Sequence, residues 1–316
     1  MSVEMLLEAG REVQLGFYEA LMADVRGETL SPQWKVVLYA LLAKPPPNDP
    51  TVVAERREIA LMPQDMNIFL QMIRRTVYAR VADRVAAEQY GWRQGVGCAD
   101  PGLSLQVAVQ QARRLGLPLY VLWIDLATFF PKIQRLCNFR SEIRQGLPPE
   151  VCDIALDIYG RFAGDESVAC QYDTDAGLGR AFHNHMGCLM GCPLSPDKAK
   201  LLLNSIIVAI SLQVKGLRLW GEGADEQGVR NTLLQMAYAD DWCGVFETVA
   251  QLRKVWDMWV TWEQVVGAKL GVKKLLKTVV SGVEWVGGKA HTPADPRLLM
   301  ASGELVPFAG HDVAYK

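Results

Sequence analysis

The sequence has no apolar run long enough to cross a bilayer, no hydrophobic leader at its start, no internal repeat and no low-complexity tract. Its most apolar stretch, Leu201 to Val214, is interrupted by Asn204 and flanked by Lys198, Lys200 and Lys215. A membrane span needs about 20 apolar residues, so this stretch reads as a buried helix and no membrane partner is expected. Seven scattered cysteines, an odd number, in a chain without a secretory leader point to reduced thiols in an intracellular protein. Nothing divides nucleus from cytoplasm. Charge of either sign is nearly absent in net terms: −2 over 316 residues, which excludes a simple nucleic-acid coat. Basic character is local instead. Residues 31–115 carry 11 Lys/Arg against 7 Asp/Glu, and residues 267–289 five Lys against one Glu, as a groove would require.

Half the residues are hydrophobic, enough for a sizeable core, and two acidic sites interrupt the apolar pattern. Leu119 to Ile124 is a continuous apolar run ending on Asp125, the pattern of a buried strand that delivers one carboxylate at its end. In LLQMAYADDWCGVFETV, two adjacent acids, Asp240 and Asp241, sit between β-prone segments and read as the tip of a strand–turn–strand unit. Carboxylates about 4 Å apart repel by ~4 kcal/mol at an effective dielectric of 20. Solvent, a proton or a cation must offset that. A solvated turn is the simpler reading of Asp240 and Asp241 taken alone, and a helix N-cap that of Asp125. Two acid-ending strands side by side in one sheet would instead form a site for two metal ions about 3.5–4 Å apart, suited to in-line phosphoryl displacement.

Three segments together carry a resemblance. Asp125-Leu-Ala-Thr-Phe-Phe130, Gly187-Cys-Leu-Met-Gly-Cys-Pro-Leu-Ser-Pro196 and Tyr238-Ala-Asp-Asp241 resemble motifs A, B and C of reverse transcriptases, in that order. Upstream, Ser31-Pro-x-Trp34, Lys44, Arg57-Glu-Ile-Ala-Leu61 and Gly91-Trp-Arg-Gln-Gly95 resemble the non-LTR retrotransposon kind, with Glu58 in place of the usual proline. The resemblance implies an α+β fold of right-hand polymerase type: fingers over about 31–115, a palm over about 116–290 built as an antiparallel sheet backed by helices, and no recognisable thumb. A helical leader over 1–30 and an irregular tail over 291–316 flank this domain.

It also implies roles. Asp125, Asp240 and Asp241, with the Leu126 carbonyl, would hold two Mg²⁺ ions (or Mn²⁺), a hard cation that takes few protein ligands and leaves sites for water and substrate phosphates. Arg57 and Lys44 would meet the nucleotide phosphates. Phe130 would be the steric gate that favours deoxynucleotides, with Phe129 a core residue on the other side of an extended chain. Met190, Gly191 and Tyr238 would line the nascent base pair, Met190 standing where the family usually has glutamine. Lys277 would protonate the leaving pyrophosphate. Partners are then an RNA template, a DNA primer and dNTPs. His183, His185, Cys188 and Cys192 are all possible zinc ligands, but their spacing is not that of paired knuckles. Two alternatives stand beside an RNA-directed DNA polymerase: an RNA-dependent RNA polymerase, and a catalytically impaired retroelement-derived domain that only binds nucleic acid or a partner.

Periodicity predicts further helices over 64–89, 102–115, 151–162, 195–214 and 248–266.

Overall fold

The computed structural model describes residues 8–26, 34, 36–44, 56–159, 169–174, 177–219, 232–271 and 278–311. Two compact units interleave along the chain, one of residues 1–84 and 130–198, the other of 85–129 and 199–316. The secondary structure is mixed α+β, and no helix among the described residues is long and apolar enough to cross a membrane.

The first unit holds helix Arg11–Arg26, strands β1 (Val36–Ala43) and β2 (Arg56–Leu61), helix Gln64–Thr76 and a 3-10 turn, Tyr78–Arg84. The expected helix over 64–89 therefore ends early, at the β-branched pair Thr76-Val77, where the Thr76 hydroxyl bonds back to the Met72 carbonyl. Helices Arg135–Arg144 and Pro149–Tyr159 follow; the former gave no periodic signal. Strand β4 (Ala169–Thr174) pairs in parallel with β1, while β2 pairs antiparallel with it. Short strands β5 (Gly177–Leu178) and β6 (Phe182–His183) both pair with β4.

The second unit is built on an antiparallel sheet. Its strands are β3 (Leu119–Asp125), β9 (Gln235–Tyr238), β10 (Asp241–Phe246), β11 (Val279–Val286) and β12 (Lys289–His291), in the order β12-β11-β3-β10-β9. Strands β7 (Leu217–Arg218) and β8 (Thr232–Leu233) form a separate pair. Alternation decides which side chains meet which helix. Leu119, Val121, Met236, Cys243 and Val245 cluster with Ala108 and Ala112 of helix Ala99–Leu115. On the other face Trp242 meets Trp259 edge-on at 5.2 Å, and Trp259 meets Trp262 at 5.3 Å; both belong to helix Val249–Val266. Thr248 starts that helix with a capping box shared with Gln251, which satisfies two otherwise orphaned amides. Buried Gln235 accepts from the Trp242 indole at 2.9 Å and donates to the Ile207 carbonyl and Ser211 hydroxyl, both at 2.8 Å. It thereby ties β9 and β10 to helix Ser195–Gln213.

The described residues after β12, up to 311, are tied to β11. Val280 donates to Pro307, Gly282 to Gly310 and Ala309 to Val280 through the backbone, and Leu298 and Val306 are buried.

Candidate active site at the end of the antiparallel sheet

The apolar run 119–124 becomes β3, and β3 lies next to β10 in a register that sets Asp125 opposite Asp241. Residues directly opposed across an antiparallel pair project to the same face, so both carboxylates emerge together at one end of the sheet. Tyr238 stands opposite Asp241 on the far side, extending the row to three. Asp240 sits in the two-residue turn between β9 and β10, after Ala239 at φ +59°. A positive φ at the first turn residue belongs to the primed turns that match strand twist; on alanine it costs about 1–2 kcal/mol. Asp125 and Asp240 are half-buried and Asp241 is exposed, so solvent reaches the row. A cavity of about 370 Å³ adjoins it, bounded by Leu105, Trp123, Met236, Tyr238, Asp241 and Cys243 among others.

Two elements brace these acids. The segment before helix Ala99–Leu115 exchanges backbone hydrogen bonds with β9: Tyr90 donates to Ala237 and Ala237 to Glu88, both at 2.7 Å. Gln89, fully buried, reaches the Ala239 carbonyl at 3.4 Å and accepts from the Gly91 amide. Any Cβ on Gly91 would run into the Ala239 backbone, so glycine is needed for the close approach. Behind Asp125, Gly271 donates to its carbonyl at 2.8 Å and Ala127 to Lys269 at 2.7 Å. A Cβ on Gly271 would lie 2.6 Å from Asp125 Oδ2. Gly91 lies in a segment the sequence singles out; Gln89 and Gly271 were missed, and a fully buried glutamine has no sequence signal. Leu126 is buried and bridges Leu270, a bridge whose hydrogen bonds run through its neighbours rather than through its own carbonyl.

Most of the remaining candidates lie in the first unit. Arg57 is exposed on β2 and Lys44 half-buried just past β1. Phe130 is half-buried and Phe129 buried. The two open a short helix, Phe129–Lys132, so the expected extended chain with the rings on opposite faces does not form. The 187–194 loop is tied down at many points. Gly187 donates to Ile133, Cys188 to Phe130 and Ala60 of β2 to the Met190 carbonyl, the last at 2.5 Å. Gly191, at φ +106°, has no room for a Cβ against the Ala60 carbonyl. Cys188 and Cys192 are buried while His183 and His185 are exposed, and no group of three His, Cys, Asp or Glu among the described residues is arranged to hold a metal. Lys277 lies outside the described residues.

No protein-family model matches the chain, and no curated protein matches it either. Solved structures do. Telomerase from Candida tropicalis, in complex with a TWJ fragment of telomeric RNA, superposes with a TM-score of 0.55 at 10% identity over 93% of this chain. Apo telomerase from the same organism, truncated from its C-terminal domain, gives 0.51 at 11% identity over 89%. Telomerase from Candida albicans in the same kind of complex gives 0.50 at 9% over 93%. The chain has a reverse-transcriptase-like fold. It spans 48% to 57% of the length of these telomerase chains, and at such identity the likeness speaks to fold alone.

Whether the row of acids suits a metal turns on its donor chemistry. Mg²⁺ binds through one or two carboxylates and completes its octahedron with water and substrate phosphates. The two opposed, solvent-reaching carboxylates of Asp125 and Asp241 fit that mode, although with Asp240 they are not arranged as a three-ligand metal group. They do not form a preassembled cage.

Proposed function

We propose that the chain is an RNA-directed DNA polymerase that adds deoxynucleotides to a primer on an RNA template, the core of a non-LTR-type retroelement enzyme. The observation that carries this reading is the Asp125–Asp241 register at the open end of a sheet in a reverse-transcriptase-like fold. The telomerase complexes with RNA support nucleic acid as partner.

In this mechanism Asp125, Asp240 and Asp241 would hold Mg²⁺, which when bound would supply stabilisation of the charge on the attacking and leaving oxygens. The residues do the rest. The tight turn at Ala239 fixes the spacing of the two adjacent acids. Gln89 and Gly91 keep that turn from moving away as charge accumulates. By the resemblance, Arg57 would meet the triphosphate and the 187–194 loop the forming base pair; within that loop Gly191 is bare of side chain because the Ala60 carbonyl leaves no room for a Cβ. Phe130 blocks a 2′-hydroxyl. Such a site works by positioning and by electrostatic complementarity to the in-line transition state.

RNA-templated primer extension with purified protein tests this. Incorporation of dNTPs in preference to NTPs is expected, with Phe130→Val narrowing the preference. Preference for NTPs would favour the RNA polymerase alternative. Binding of an RNA–DNA hybrid without any incorporation would favour the silent domain.

A further inference from the structure

The first unit contains a buried polar network that this mechanism does not use. Lys198 Nζ lies 2.7 and 2.8 Å from the two carboxylate oxygens of Glu142, with side-chain exposures of 5% and 0%. Tyr78 donates a further hydrogen bond to Glu142 at 2.9 Å. Burial alone would strip the proton from Lys198, but Glu142 outweighs it and its pKa is raised. Next to this pair stands Tyr159, itself buried. Lys198 Nζ lies 5.8 Å from the centre of its ring and the Arg135 guanidinium 6.0 Å, within cation–π range.

Each neighbour of Tyr159 leads to one end of the 187–194 loop. Arg135 donates to the carbonyls of Asn184, Met186 and Gly187 at 2.6, 3.2 and 3.1 Å, which fixes the entry. The Tyr159 hydroxyl donates to Cys192 Sγ at 2.6 Å and lies 3.1 Å from Ser195 Oγ. Ser195 in turn donates to the Leu189 carbonyl at 2.7 Å, which fixes the middle and the exit. Buried thiols accept weakly and are kept neutral here: burial pushes Cys188 up to about 12 and raises Cys192 as well.

We infer that Tyr159 is a positioning residue for nucleotide binding: from inside the unit it sets the height of the 187–194 loop through Arg135 at one end and Cys192 and Ser195 at the other. Its ring and hydroxyl separate the two attachments. Tyr159→Phe keeps the ring near both cations and removes the bond to the exit; Tyr159→Leu removes both. The inference rests on the polymerase reading for its link to nucleotides, and on geometry alone for its link to the loop.

Two measurements on the full chain separate these. Amide hydrogen exchange of peptides covering 187–194 should quicken in Tyr159→Phe and more in Tyr159→Leu, while peptides covering 119–125 and 241–246 stay as in the parent. Unchanged loop exchange in both variants overturns the positioning role, whether or not the protein polymerises. In primer extension, Tyr159→Phe should raise the KM for dNTP about three- to tenfold, the size of one lost hydrogen bond, with kcat and Tm nearly unchanged. A merely structural tyrosine would lower Tm and the active fraction and leave KM alone; that outcome overturns the inference too. If the parent protein itself incorporates nothing, the polymerase reading fails and the nucleotide link falls with it, while hydrogen exchange still decides what Tyr159 does to the loop.

Discussion

Two acidic centres, one in each unit, are built on opposite principles. In the first unit Glu142 is buried and meets Lys198 and Tyr78 through both oxygens. In the second, Asp125 and Asp241 stand in register at the end of a sheet, where solvent reaches them. A buried charge with its partners in place is costly to disturb and gains nothing by meeting a ligand. Acids set in register at a strand end and partly exposed can be reached by a ligand from outside the chain. Acid count alone does not mark a site. Access from outside the chain does.

The contrast breaks or sharpens under substitution. The largest effect is expected at Glu142. Glu142→Ala leaves Lys198 charged and buried, and should destabilise the protein by about 3–5 kcal/mol, whereas Asp241→Asn should stay within about 0.5 kcal/mol. Urea denaturation of both variants checks this; equal losses would erase the distinction. Next comes the brace of the acidic turn. Gly91→Ala forces a methyl into the Ala239 backbone and is expected to cost about 1–3 kcal/mol. It should also depress primer extension at temperatures where the protein remains folded. The smallest effect concerns the thiols beneath the loop. Cys188, with its pKa raised to about 12 by burial, should resist alkylation at pH 8 while exposed Cys98 reacts. Because the folded-state pKa lies above the ordinary value of 9.0, the stability linked to this thiol is complete below about pH 9. It is lost as pH rises towards 12, a decline that a pH series of denaturation curves would register.

Much of the second unit was legible in the sequence because its signals are local. The apolar run 119–124 could only be a buried strand, and β-prone segments on both sides of Asp240-Asp241 specified a hairpin. Apolar periodicity over 248–266 marked helix Val249–Val266. The first unit was harder to read. Arg135–Arg144 alternates polar and apolar residues without a clean stripe, because it buries Asn138, Ser141 and Glu142 in a polar network rather than an apolar face. The parallel pairing of β4 with β1 joins strands more than a hundred residues apart, a fact that no local pattern encodes. Of the site, the acids and their order were visible. Gln89 and Gly271 were not, since their importance lies in what they touch. Arg57 and Met190 were picked out by resemblance, but the hydrogen bond from Ala60 to Met190, which joins the β2 strand to the loop, emerges only in three dimensions.

The acids at the sheet end, Asp125, Asp240 and Asp241, and not buried Glu142, are proposed to carry the chemistry. Magnesium-dependent extension of a primer on an RNA template, measured for the parent and for Asp240→Asn at matched folded fraction, tests it most directly. The account predicts that incorporation falls to background in Asp240→Asn while its denaturation midpoint stays close to that of the parent. Extension by Asp240→Asn at the parental rate would contradict it.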